Sequence, residues 1–343
     1  MNFLKYFVPI RFRRKVQASF KSIQFLHSKA LEDDVLWCNE LERQFIRKNF
    51  GDVTKLPDFV PRFKRLINGL DEESVACLAK VISRQKQIIG TEENTIDLFS
   101  EEEKQQIKKV DDVFKHEVVQ LTESLYAYKN YLLPINHFEK SVFYYKHGID
   151  KLQTADRVKQ ATIFDVGGFI GDSALVFEEL SPQRIITFEP VPENQRFMEK
   201  TIELNDMTNV TVVKKALADH EGVMTMNVYG SESSLYDISS SAYEGKVEIP
   251  ITTLDNYVLQ EKIDDIALIK VDIEGAEQLF LEGAKKTIRQ QKPILLISIY
   301  HKADDFFGIK PLIESWDLGY TFRIHKPLFE NATSEVLLIG EIL

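Results

Sequence analysis

The chain has 343 residues, 44% of them hydrophobic, with a formal net charge of -10 and two cysteines, Cys38 and Cys77. That length and apolar content allow one large or two ordinary domains with a full core and exclude wholesale disorder. The acidic balance argues against a nucleic-acid partner, and two cysteines are too few for a disulfide scaffold and fit a reducing compartment.

No apolar run approaches the ~18 residues of a membrane span. The opening "MNFLKYFVPIRFRRK" places apolar residues before charges, the reverse of a secretory signal, so a cytoplasmic protein is expected. Residues 1–31 carry Lys5, Arg11, Arg13, Arg14, Lys15, Lys21 and Lys29 and no acid. A solvated basic face is the first reading, and weak contact with an anionic membrane surface is the second.

Residues 1–133 read as an N-terminal helical domain, a candidate lid, acceptor-binding surface or oligomerisation region. Leu31, Val35, Leu41, Phe45 and Ile46 mark one helical stripe, and Val75, Leu78, Val81, Ile82 and Ile89 a second, closed by Gly90. Ser100 and Glu103 have capping-box spacing before a third helix. That helix is expected to carry Ile107, Val110, Val113, Phe114, Val118 and Leu121.

From Pro134 the pattern changes, and residues 134–343 read as a second, α/β domain. "ATIFDVGG", "RIITFEP", "NVTVVKKALA", "IALIKVDIEG" and "PILLISIYH" read as strands separated largely by helices, then "YTFRIHKP" and "EVLLIGEIL" follow. Apolar strands alternating with helices predict a mostly parallel sheet covered on both faces, with ligands at the carboxyl ends of its strands. Only "LFENATS" separates the last two runs. That is too short for a parallel crossover, so the final strand runs antiparallel. Between Glu221 and Tyr257 lies a β-rich insert with a serine-rich loop.

A dinucleotide turn would need G-x-G-x-x-G, but Phe169 stands where the second glycine belongs. What remains is Asp165-x-Gly167-x-x-x-Gly171, which suits a ligand bearing a carboxylate, an ammonium and a ribose but no phosphate, such as S-adenosylmethionine. Asp165 is expected to face the ammonium. Glu189, 22 residues beyond Gly167, sits at the next strand tip, where its two oxygens match a ribose diol. Ala216, Leu217 and Asp219 are expected to border the adenine. Strand alternation puts Leu268, Lys270 and Asp272 on one face, with Glu274 just beyond. Lys270 in an apolar strand needs a partner, Asp165 or Asp272. His301 emerges at the same edge as a candidate base. Asp272, Glu274 and His301 are adequate ligands for a divalent metal, but they lack a metal-specific spacing and none is assigned. Tyr144, Tyr145 and the 231–243 loop are candidates for stacking on a sugar ring.

"FDVGGFIGDSALVF", "TFEP", "KALADHEG" and above all "LIKVDIEGAE", followed by "YH", resemble the FkbM-type S-adenosylmethionine-dependent methyltransferases, over roughly Phe143 to Leu343. The resemblance implies a seven-stranded Rossmann-like, class I methyltransferase sheet that methylates hydroxyls, often of sugars or natural products. It implies that Asp165, Gly167 and Gly171 cradle the methionine part and Glu189 holds the ribose; Gly168 and Asp172, in the same turn, are expected to contact the cofactor as well. It places Asp272 and Glu274 at the reaction centre, and Lys270 and His301, read from their positions at the same sheet edge, are the further catalytic candidates. Gly168, where alanine is common in the family, is expected only to loosen the turn. The expected partner is a small-molecule or glycan acceptor. Competing readings are an NAD-dependent nucleotide-sugar oxidoreductase or epimerase, a non-catalytic interaction protein and an RNA methyltransferase.

Overall fold

The structure is a computed structural model that describes residues 40–91, 96–228 and 245–343. The basic N-terminal segment, Cys38 and the 231–243 loop lie outside the described residues. Among the described residues, four α-helices come first: α1 (Glu40–Asn49), α2 (Phe59–Ile67), α3 (Glu72–Gly90) and α4 (Glu101–Glu117). Asp71 caps α3 by accepting from the Ser74 N–H, and Ser100 and Glu103 form the full capping box of α4.

The helix capped by Ser100, α4, is shorter than expected. It stops at Glu117, and Val118 and Leu121 belong to strand β1 (Val118–Thr122). This strand pairs with β2 (Leu125–Tyr128), which pairs with β3 (Tyr131–Leu133), all antiparallel. The runs carry the strand formers Val118, Val119, Tyr126, Tyr128 and Tyr131, and the hairpin turn at Lys129 takes a positive φ of 52°. Tyr128 is fully buried, with its ring 4.7 Å from that of Phe114. That packing outweighs the helical spacing.

A short helix α5 (Lys140–Phe143) leads into β4 (Thr162–Val166), α6 (Asp172–Phe177), β5 (Arg184–Phe188), α7 (Pro192–Leu204) and β6 (Val210–Val213). The insert contributes β7 (Ala216–Leu217), β8 (Gly222–Val228) and β9 (Gly245–Thr252). Then come α8 (Leu254–Glu261), β10 (Ile266–Val271), α9 (Glu277–Gln291), β11 (Ile294–Ser298), α10 (Ala303–Glu314), β12 (Thr321–His325) and β13 (Leu337–Glu341).

The main sheet has seven strands in the order β12-β13-β11-β10-β4-β5-β6. The central pairs are parallel, and β13 runs antiparallel to both β11 and β12, as the short link between the last two strands required. Every residue of β4, β10 and β11 is buried, the mark of a sheet covered on both faces. "NVTVVKKALA" is not one strand. β6 ends at Val213, the Lys215 N–H turns back onto the Val213 carbonyl, and β7 leaves to pair with β9 in a small separate sheet.

The N-terminal helices share a core with this sheet. Ile46, Leu66, Leu78 and Ile107 belong to the same buried cluster as Phe164, Ile269 and Leu295. Ser74 Oγ accepts from the Ile324 N–H of β12 at 2.8 Å, and Lys310 of α10 donates to the Asn68 carbonyl at 2.6 Å. The helical layer thus covers the β12 side of the molecule, where it meets α10. Among the described residues, no helix is long and apolar enough to cross a membrane.

Candidate functional site

The carboxyl ends of β4, β5, β10 and β11 converge on a dense group of acids around one histidine. Two left-handed glycines shape the turn after β4. Gly167 has φ 85°, and a Cβ there would lie 1.9 Å from the Asp272 carbonyl oxygen; Gly171, with φ 83°, opens α6. Gly168 is equally constrained by space. A Cβ on it would meet Thr187 Oγ1 at 1.8 Å and Met198 Cε at 2.9 Å. The expectation that glycine at 168 merely loosens the turn is therefore corrected: the side chains of β5 and α7 fill the volume an alanine would need.

Lys270 and Asp165 form the buried pair beneath this turn, 3.2 Å apart and at most 4% exposed. Lys270 also donates to the Gly167 carbonyl at 2.8 Å, and Thr187 Oγ1 donates to Asp165 at 3.3 Å. Burial opposes the charge on Lys270, but Asp165, Asp272 and Asp172 hold its pKa above the ordinary lysine value. Both side chains thus brace the glycine turn from below. Lys270 is tied to the backbone of the turn, and the Asp165 carboxylate is engaged by the protein itself.

Glu189 sits at the tip of β5 and is 5% exposed. Its carboxylate accepts from the Phe169 N–H at 3.0 Å, the Val191 N–H at 2.8 Å and Asn194 at 3.2 Å. Burial nevertheless pushes its pKa up to about 7. Asp172, in the first turn of α6, is pushed by burial to about 6, against the pull of His137.

His301 follows β11 and is 3% exposed. Its Nδ1 lies 2.9 Å from Glu277 Oε1, while Nε2 lies 3.5 Å from both Asp272 Oδ1 and Glu274 Oε2. Glu277 is fully buried at the start of α9 and is held in place by the Ile273 N–H. Burial disfavours a charged imidazole, but Glu277, Glu274 and Asp272 together hold His301 well above its ordinary pKa. Burial raises the Asp272 carboxyl despite His301 and Lys270. Glu274 has φ 56°, so the backbone bends sharply between Asp272 and α9. From the β12–β13 connection, Glu335 reaches the same edge, accepting from Tyr300 Oη at 3.1 Å. Burial, with Asp272 and Glu139 nearby, raises its pKa to about 8.

Residues 165–331 match the family model described as the methyltransferase FkbM domain. The chain carries an FkbM methyltransferase domain. A relative described as Methyltransferase 1, from Beauveria bassiana (strain ARSEF 2860), is 25% identical over 235 residues, covering 62% of this chain and 92% of its own length. The 2-O-methyltransferase NoeI of Sinorhizobium fredii (strain NBRC 101917 / NGR234) is 21% identical over 193 residues, covering 51% of this chain and 78% of its own. Among solved structures, the methyltransferase FkbM of Methylobacillus flagellatus KT aligns with 82% of this chain at a TM-score of 0.51 and 20% identity. The match spans 58% of that protein's length, and it shows the shared class I methyltransferase fold.

Within the FkbM domain, the structure brings together Asp165, Gly167, Gly168, Gly171, Asp172, Glu189, Lys270, Asp272, Glu274 and His301. Leu217 stands apart from them. It is 2% exposed and belongs to the main hydrophobic core, because β7 turns inward over α9. Ala216 packs against the small-sheet cluster. Asp219 is exposed and paired with His220 at 2.7 Å. Tyr145 gives its hydroxyl to the Leu328 carbonyl and packs edge-on to Tyr144. Two buried acids at this edge were not singled out from the sequence. Glu277 stands at i+3 from Glu274 within the quoted motif, a spacing that could have exposed it. Glu335 lies 34 residues beyond His301 in a connecting loop and carried no local signal. A surface depression of about 500 Å³ lined by Gln160, Pro182 and Asn209 lies at the amino ends of β5 and β6, away from this chemistry.

Proposed function

We propose that this methyltransferase moves the methyl group of S-adenosylmethionine onto a hydroxyl oxygen of a sugar or glycan. The observation that carries the reading is the excess of buried carboxylates at one sheet edge. Asp172, Glu189, Asp272 and Glu335 all have raised pKa values there. Such an edge favours a cationic ligand, because a bound positive charge offsets the cost of burying several negative ones. S-adenosylmethionine carries a sulfonium and an ammonium against one carboxylate, so the residues present fit it. When bound, it would supply an activated methyl group.

The chain's own residues would hold and orient. Glu189 keeps acceptor capacity for ribose hydroxyls alongside its backbone bonds. With Asp165 engaged by Lys270, Asp172 is the better-placed acid for the ammonium. The Gly167–Gly171 turn sets the cofactor's depth. Asp272, Glu274 and His301 face the acceptor. Alignment of the reacting atoms contributes about 7–11 kcal/mol of barrier lowering in well-oriented systems. With three acids favouring the charged imidazole, the hydroxyl proton would pass to the Asp272 carboxylate, 3.5 Å from His301 Nε2. Support for an oxygen acceptor comes from the relative named 2-O-methyltransferase. The oxidoreductase alternative is not favoured, since Phe169 occupies the second glycine position and gives its N–H to Glu189.

The test is calorimetry with S-adenosylhomocysteine, followed by transfer of labelled methyl groups to nucleotide sugars and cell-surface glycans. Binding together with label in a base-stable ether is expected. Failure to bind either form of the cofactor at millimolar concentration would overturn the reading.

A further inference from the structure

We infer that His301, Asp272 and Glu274 form a site for one divalent first-row cation, with Glu277 orienting the imidazole. The distances carry the argument. Nε2 of His301 lies 3.5 Å from Asp272 Oδ1 and 3.5 Å from Glu274 Oε2. That is too long for a good hydrogen bond. It matches the spacing of two ligands around one ion, since atoms each about 2.1 Å from a metal at a tetrahedral angle lie about 3.4 Å apart.

A second observation points the same way. Both ring nitrogens of His301 are buried without a hydrogen-bond partner, and so is Asp272 Oδ1. His301 is 3% exposed, so water cannot readily satisfy it. On the other side of the ring, Nδ1 faces Glu277 Oε1 at 2.9 Å. A carboxylate on one imidazole nitrogen fixes the ring and leaves the other nitrogen to a metal, a recurring arrangement at metal centres. One ligand atom from each of Asp272, Glu277 and His301 falls within 4.8 Å of the other two, while Glu274 joins the cluster through its 3.5 Å approach to Nε2. Glu277 is fully buried, whereas Asp272 and Glu274 are 21% and 26% exposed. An ion on Nε2 therefore sits toward the cleft rather than inside the core, with positions left for water or an acceptor oxygen.

Ligand chemistry narrows the ion. One imidazole and two carboxylates suit Mn²⁺ or Zn²⁺ better than Ca²⁺, which prefers oxygen alone. Binding would displace a proton from His301 into solvent. The role of such an ion in ordering an acceptor rests on the methyl-transfer reading, but its binding does not.

The experiment titrates Mn²⁺ into chelator-treated protein, following free Mn²⁺ by electron paramagnetic resonance, with Mg²⁺ and Zn²⁺ as competitors. One ion per chain is expected, with proton release and ¹⁴N coupling from a bound imidazole in the electron spin-echo spectrum of the wild type. His301→Ala and Glu274→Gln should abolish or strongly weaken binding, and Glu277→Gln should weaken it about 10–100-fold. Absence of stoichiometric binding by all three ions, or binding without nitrogen coupling and unchanged in these variants, overturns the inference. Calorimetry with S-adenosylhomocysteine on the same chelator-treated sample tests the methyltransferase reading separately.

Discussion

Replacing Lys270 by methionine isolates the pair under the glycine turn. The substitution keeps an unbranched apolar stem of similar length but removes the ammonium. Asp165, fully buried, would then hold an uncompensated charge, and the Gly167 carbonyl would lose its 2.8 Å donor. Breaking a buried pair from one side costs about 3–5 kcal/mol. A domain's whole stability is about 5–15 kcal/mol, so Lys270→Met should unfold at markedly lower denaturant. Adding Asp165→Asn removes the stranded charge. What remains is the unsatisfied Gly167 carbonyl, worth about 1–3 kcal/mol. The double variant should therefore be more stable than Lys270→Met alone, although it carries more changes. Urea denaturation of wild type, both single variants and the double variant measures the cycle. If the double variant is no more stable than Lys270→Met, the charge pairing is not what supports the turn.

Gly168→Ala must push Thr187 Oγ1 from 1.8 Å, so a loss of about 1–3 kcal/mol is expected, partly recovered by adding Thr187→Ala. A change under about 0.5 kcal/mol in thermal or urea denaturation would show that the turn has slack. Glu189 has a folded pKa of about 7 against a reference of 4.5, so the folded state binds its proton more tightly. Its stabilising contribution is therefore fully present below about pH 4.5 and is lost as pH rises through 7, a swing of about 3 kcal/mol. Wild type should lose stability relative to Glu189→Gln over that window, and parallel pH profiles would refute the assignment. Ser100→Ala removes the cap of α4 and should cost about 1 kcal/mol in denaturation while leaving S-adenosylhomocysteine affinity unchanged.

The mostly parallel sheet of the α/β half and its antiparallel final strand were legible because the strands are apolar throughout and the last link is short. The same alternation put Asp165, Glu189, Lys270, Asp272 and His301 at one carboxyl edge, since parallel strands must all end on the same side. Ser100 and Glu103 announced the start of α4, because a capping box is a local bargain between neighbouring residues. Its end was not legible. Val118 and Leu121 fit the helical spacing, and only the burial of Tyr128 against Phe114 turned them into a strand.

Burial and partner choice lay beyond the sequence. Asp165 looked equally suited to a ligand's ammonium or to Lys270, and register decided it: Lys270 and Asp165 face each other as pairing partners in adjacent strands. Leu217 fell to the core because β7 left the main sheet for β9. Glu277 and Glu335 joined His301 and Asp272 through a helix start and a distant connection. Local pattern determines which segments become strands and helices, because backbone preference and side-chain period act over a few residues. The charge state of each acid and its choice between protein and ligand are settled by distances between segments remote in sequence, and only the folded chain fixes those.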